Sequence, residues 1–402
     1  MPQYDPAQGL AALDLIAPRI LALGPRPPWS SPDFAFAWRQ AADRELPPLT
    51  NALKAMEPFT LYQNIMLDSG AGATSILPDM LAPTLAQLIA DHGVEFAKLA
   101  LTKLLTAEHG DAHWRAVVWG AHVETDTDLG SDLRVEMMDE AEANARRREW
   151  EVPWHIVVNQ RPAVFRRPFS VSPILLCLGG ENSDLKMAST MDILNRLTEE
   201  VQALGALTVS PILFEQRSAK FDDVHLEAFA AMSNYRGHRE TTPLKSIEPV
   251  SLDMEAKRYL EAFRALADAP RTRVLTILDR LNTAKSRIRA TDQALDACIA
   301  LEMLLTAKGD SQGGIVHRLG LRAAFYLGTS LEERRQLQSD VRSAYTLRSK
   351  AAHGGSKSKG QDDDATAATA IGIANRLIRK MVREGFNVDW QTLELAPPQF
   401  SS

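Results

Sequence analysis

Near the C-terminal end of the sequence, the run Tyr345-Thr-Leu-Arg348-Ser349-Lys350-Ala-Ala-His353-Gly354-Gly355 puts an arginine and a histidine five residues apart. An Arg and a His brought together suffice for metal-free phosphodiester cleavage. The imidazole moves a proton, and the guanidinium, which keeps its charge, holds the phosphoryl oxygens as negative charge builds. As a bare spacing the pair carries little information, so its weight depends on the elements that position it. On a regular helix a residue five places on lies about 140° round. Arg348 and His353 therefore converge only if the helix bends or ends between them, and Gly354-Gly355 supplies a C-terminal signal there. A His in a last turn sits at the negative end of the helix dipole, which favours its charged form.

The segment 331–352 reads as a helix. Ser330 followed by Leu331-Glu332-Glu333 is a capping box. Leu337, Val341, Ala344, Tyr345 and Arg348 recur on one face, so Arg348 continues the stripe that faces the bundle. The run 294–305 (ALDACIALEMLL) has only Asp296 and Glu302 as charges, the pattern of a central buried helix. A carboxylate there needs a partner, and the neighbouring helix carrying Arg342 and Arg348 offers one. Further helices are expected over 252–268, 270–287, 291–307, 314–327 and 363–384, with 353–362 (HGGSKSKGQD) as a basic loop.

The stretch from about 270 to 384 resembles the HEPN superfamily, and within it the ApeA-like branch. The resemblance rests on four segments in order: RLNTAKSR from Arg280 to Arg287, DQALDACIALEMLL from Asp292 through Asp296 and Glu302, IVHRLGLRAAF from Ile315, and YTLRSKAAHG from Tyr345. The resemblance implies a helical bundle that forms a homodimer and cleaves RNA without metal or cofactor. Arg348 and His353 would be the catalytic pair, supported by Glu302, Tyr345 and Ser349, with Arg342, Lys350, Lys357 and Lys359 as RNA contacts. Ser349 departs from the Asn, Asp or His that the wider superfamily prefers, although Ser is usual in this branch. The resemblance also implies a role in antiviral or stress defence. The alternative within the family is a non-catalytic dimerisation or nucleotide- or RNA-binding module.

Composition sets the frame. The 402 residues carry a net charge of −6, with 45% apolar and 24% charged residues, as in an ordinary globular protein. From Arg271 to Gly360, 16 Lys and Arg stand against 8 Asp and Glu, so the remainder carries −14. A basic segment in an acidic protein suits contact with a polyanion. Only Cys177 and Cys298 are present, expected as buried free thiols in a reducing compartment. No basic leader or 18-residue apolar run is seen, so a cytoplasmic protein with no membrane partner is expected.

The fold class expected is α+β: a mixed helix–strand N-terminal region followed by an all-α bundle. Three regions are drawn: a helical part over 1–110, a small α/β or α+β domain over 111–240, and the helical bundle over 251–390. The first would hold helices at 8–23, with Pro18 inside, at 34–57, broken by Pro47-Pro48, and at 79–107, broken near Gly93. Residues 66–75 (MLDSGAGATS) read as loop. In the second, strands are expected at 114–123, 152–159, 170–178 and 207–214, and helices at 131–149 and 183–204. Residues 237–250 read as a linker. The N-terminal region is a candidate sensor for an unknown trigger.

Other candidate sites carry weaker patterns. His109, His113 and His122 lack a cysteine or second carboxylate in register for a metal and read as loop histidines. Gly179-Gly180 lacks a phosphate-loop pattern and reads as a turn, and Gly70-Ala-Gly72 as a flexible loop. No Gly-x-Ser-x-Gly is present. Six of the seven tryptophans precede residue 155 and are expected in cores.

Overall fold

In the computed structural model, the described residues are 4–25, 32–62, 65–68, 73–149, 161–172, 174–177, 183–230, 248–307, 310, 314–352 and 362–395. In chain order the elements begin with helices α1 (Ala7–Ala22), α2 (Pro32–Asp43) and α3 (Pro47–Ala55), strands β1 (Ile65–Asp68) and β2 (Ala73–Ser75), and helices α4 (Pro78–His92) and α5 (Val94–Thr106). There follow β3 (Gly110–Trp119), β4 (Ala121–His122), β5 (Thr127–Asp128), β6 (Arg134–Met137), α6 (Glu140–Glu149), β7 (Ala163–Val171), β8 (Leu175–Cys177) and α7 (Ser183–Ala203). A 3-10 turn at Leu204–Leu207 leads to β9 (Leu213–Phe221), α8 (Val224–Ala230) and β10 (Val250–Ser251). The chain closes with α9 (Met254–Arg264), α10 (Asp268–Ser286), α11 (Ala290–Leu305), α12 (Ile315–Leu327), α13 (Leu331–Ala352), α14 (Asp362–Arg383) and α15 (Trp390–Leu395). The fold is α+β, with a five-stranded antiparallel sheet and a helical C-terminal region.

The chain divides into two compact units. One comprises Met1–Arg115, Arg166–Asn195 and Gln216–Gly237; the other comprises Ala116–Phe165, Arg196–Glu215 and His238–Ser402. The first unit buries the apolar faces of α1, α3, α4 and α5 around Leu13, Ile16, Leu49, Leu85, Ile89, Leu101 and Leu104. Each of these helices repeats its apolar residues at three- and four-residue intervals, so one face turns inward. Trp114 lies on a strand, is fully buried and donates from Nε1 to Thr190 O at 3.0 Å.

Several elements differ from the sequence reading. Within 66–75, expected as loop, β1 and β2 pair antiparallel, Met66 with Ser75 and Leu67 with Thr74; strands of three and four residues carry too little pattern to stand out in the sequence. The helix expected over 131–149 begins only at Glu140, preceded by β6. Arg134-Val135-Glu136 alternates with Val135 buried, and the surrounding charge hid that period of two. The strand expected at 207–214 starts at Leu213. Pro211 has no N–H for a ladder, and the preceding residues close the 3-10 turn. The expected strand at 114–123 is interrupted at Gly120, where φ is +89° and favours glycine. The expected strand at 152–159, Gly179-Gly180 and residues 237–247 lie outside the described residues.

Helices α9 to α14 match the sequence reading closely. Helix α11 is central, packing on α10, α13 and α14. Ala284, Ala297, Cys298, Ala344, Ala370 and Ile371 meet in one buried cluster, where small side chains let four helices approach. The helix starts are chemically defined. The Asp253 carboxylate accepts from Glu255 N at 2.8 Å, and Ser330 Oγ accepts from Glu333 N at 3.1 Å. Glu333 in turn accepts from Thr329 N at 2.9 Å, a box closed one residue earlier than its sequence form suggests. Helix α15 closes over α12, with the Tyr326 and Trp390 rings edge to face at 5.6 Å. Among the described residues, no helix is long and apolar enough to cross a membrane.

Candidate functional site

The central helix and the long helix beside it bring Glu302, Tyr345 and Arg348 together. Arg348 Nη1 donates to Glu302 Oε1 in a close ion pair. The Tyr345 hydroxyl donates to the same oxygen at 2.9 Å, and the Arg348 guanidinium lies 5.3 Å from the centre of the Tyr345 ring. The grouping follows from helix geometry. Tyr345 and Arg348 are three residues apart and share a face of α13, and Glu302 is on the face of α11 that α13 covers.

Electrostatics follow from this packing. Glu302 and Arg348 keep 28% and 29% of their side-chain surfaces exposed, so the pair sits at the rim of the bundle, not in its core. Burial works against the Arg348 charge, but the bond to Glu302 outweighs it and holds the guanidinium above its usual range. Burial and the adjacent Glu302 charge push the Tyr345 phenol upward, so it stays a donor. One turn before Glu302, burial pushes the Cys298 thiol up to about 12, which leaves it unreactive near neutrality.

The other sequence-assigned residues that are described stand outside this grouping. Arg342 and Ser349 are exposed on α13, and Arg342 makes no contact with Glu302. Of the two cations considered as partners for this carboxylate, only Arg348 takes the role: the six residues from Arg342 to Arg348 carry them to different sides of the helix. Lys350 is half-buried and lies 3.2 Å from Asp363 of α14. Helix α13 continues through Ala352 without an end near Arg348; His353, Lys357 and Lys359 lie outside the described residues.

Two further arginine centres in this unit escaped the sequence reading. Asp296, 5% exposed, accepts from Arg280 Nη1 at 3.1 Å and from Arg287 Nε at 3.0 Å, which ties the end of α10 to α11. Arg322, 1% exposed, donates to Leu305 O, to both carboxylate oxygens of Asp310 and to Glu394, all within 3.0 Å. These bonds hold the Asp310 carboxyl down at about 2. Arg280, Asp296 and Arg287 were visible as part of the family resemblance but had no pairing assigned. Arg322 gave no signal because its partners are 12 and 72 residues away.

In the first unit, His113 lies on β3, not in a loop, and is mostly buried; its Nδ1 is 2.7 Å from Asp222 Oδ1. Burial lowers its basicity despite that carboxylate. His109 and His122 are exposed. Among the described residues, no three His, Cys, Asp or Glu side chains are grouped to hold a metal ion. Searches of protein-family models, of curated proteins and of solved structures return no match to this chain.

Proposed function

We propose that this chain is a metal-independent endoribonuclease of HEPN type, with Arg348 and His353 as the catalytic pair. The observation that carries the reading is the setting of Arg348. It is anchored by Glu302, bedded on Tyr345 and still part-exposed at the rim of a helical bundle. An arginine fixed on one edge by a carboxylate has its remaining N–H groups oriented outward, where they suit phosphoryl oxygens. In this reading His353 takes the proton from the ribose 2′-hydroxyl or gives one to the departing 5′-oxygen. The O2′–P bond forms as the P–O5′ bond breaks, leaving a 2′,3′-cyclic phosphate, and DNA is spared for want of the 2′-hydroxyl. Arg342, Lys350, Lys357 and Lys359 are proposed to meet the RNA backbone, the active form is a homodimer, and Ser349 borders the pair. A cytoplasmic place, a defence role and a sensing role for the N-terminal region belong to the same proposal.

The ion pair also supports a second reading. Arg348 spends a donor on Glu302 and has the surroundings of a structural arginine, as a non-catalytic dimerisation or RNA-binding module would require. Incubating the purified chain with mixed cellular RNA in excess EDTA, beside an Arg348→Ala/His353→Ala variant, separates the two. Cleavage to cyclic-phosphate ends by the wild type alone supports the nuclease. Intact RNA with both proteins, together with retarded RNA or a dimer in solution, supports the second reading.

A further inference from the structure

The 3-10 turn at Leu204–Leu207 is the point where α9, α10 and α14 converge, and it is lined by buried polar groups with too few partners. Lys285, near the end of α10, is 2% exposed. Among the described residues its Nζ has one hydrogen-bond partner, Gly205 O at 2.6 Å. One turn earlier on the same helix, Asn282 presents a buried Oδ1 with no hydrogen-bond partner among the described residues. Its side chain lies against Gly205, where an added Cβ would come within 3.2 Å of Oδ1, a tight contact. From α14, Asn375 donates to Thr208 O at 2.7 Å, and its own Oδ1 is buried without a partner among the described residues. The Tyr259 hydroxyl on α9 is likewise buried, with no hydrogen-bond partner among the described residues.

An ammonium has three protons to place, and one carbonyl satisfies one of them. A buried ammonium with no carboxylate beside it is costly, so the closed turn favours the neutral amine. We propose that Lys285 is a proton-linked latch: the Leu204–Leu207 turn seats on α10 over a neutral amine, and lifting the turn lets the amine take a proton from water. The proposal does not depend on the cleavage reading.

Several charges on the surrounding elements are engaged in ion pairs of their own. Asp296 of α11 is held by Arg280 and Arg287, Glu199 and Glu200 of α7 by Arg271 and Arg264, and Arg376, Arg379 and Arg383 of α14 by Glu333 and Glu255. Tyr259 on α9, which packs on the turn, and Cys298 on α11, which packs on α10, are both shifted upward by burial and remain uncharged. The turn itself brings no ionisable side chain. Burial alone acts on Lys285, and lowers it to about 7.

Proton linkage then gives the direction. The open turn binds a proton that the closed turn does not, across the window from about pH 7 to the ordinary lysine range, so rising pH tightens the latch. The test is native-state hydrogen exchange of the full chain at pH 7 and pH 9, corrected for intrinsic exchange, read on the amides around Leu204–Thr208. The wild-type opening constant should fall about fifty-fold between the two pH values. In Lys285→Met it should not change. Equal behaviour of the two proteins, or no change in the wild type, overturns the latch. If the Met variant does not fold, side-chain NMR of lysine-labelled wild type decides. A Lys285 amine titrating near neutrality in the protected state supports the proposal, and one titrating near 10 in that state overturns it.

Discussion

Replacing Lys285 by Met should make the helical unit more stable at neutral and acidic pH, which is the opposite of what removing a hydrogen bond ordinarily does. Burial lowers the amine from 10.5 to about 7. Each pK unit is worth about 1.4 kcal/mol, so the folded state carries a penalty of roughly 5 kcal/mol below pH 7. Met has a stem of similar length and fills the same space without a charge. Its loss of the bond to Gly205 O costs about 1 kcal/mol, and that carbonyl still accepts from Thr208 N at 3.4 Å. The unfolded chain binds the proton up to the ordinary lysine value, whereas the folded chain releases it near 7. Wild-type stability therefore rises with pH through that window. The variant should lead by about 4 kcal/mol at pH 6 and about 2 kcal/mol at pH 8, with the difference near zero at pH 10. Urea unfolding at these three pH values, followed by peptide-level hydrogen exchange so that residues 254–383 are read separately, measures the difference. A variant less stable than wild type at pH 6, or a difference that does not move with pH, would refute the reasoning.

Three further outcomes are expected. Asp296→Ala should cost about 2 kcal/mol in urea unfolding, because the ends of α10 and α11 lose two charge-assisted bonds while the half-exposed Arg280 and Arg287 regain water; a loss under about 0.5 kcal/mol would show the triad to be decorative. Arg322→Met should cost about 3 kcal/mol by stranding Asp310, Glu394 and Leu305 O. Because Asp310 is held at about 2, wild-type stability from this pair is present above the ordinary carboxylate range and is lost as pH falls towards 2, a dependence the variant should lack in acid unfolding. Tyr345→Phe should cost about 1 kcal/mol while preserving the Arg348–Glu302 pair; RNA cleavage that persists with a modest loss would assign Tyr345 to support, and abolished cleavage in a folded variant would contradict that assignment.

Period and punctuation in the sequence determined the helices of the C-terminal half. The boundaries of α12 and α13 agree within a residue because Gly328, Ser330 and Glu333 act locally, through bonds that span four residues or fewer. The sequence also marked α11 as central and gave Glu302 a cationic partner on the neighbouring helix, since an almost wholly apolar helix leaves a carboxylate nowhere else to go. Only the tertiary structure decided that the partner is Arg348 and not Arg342, and that Tyr345 shares it, because that choice depends on the rotation of α13 against α11. The short strands β1, β2 and β6 were hidden for a related reason. Three or four residues hold too little pattern of their own, and their ladder bonds are made with residues elsewhere in the chain. Lys285 shows the same limit most plainly. In sequence it is one cation on a helix, and its burial against the Gly205 carbonyl is set by a turn 80 residues earlier in the chain.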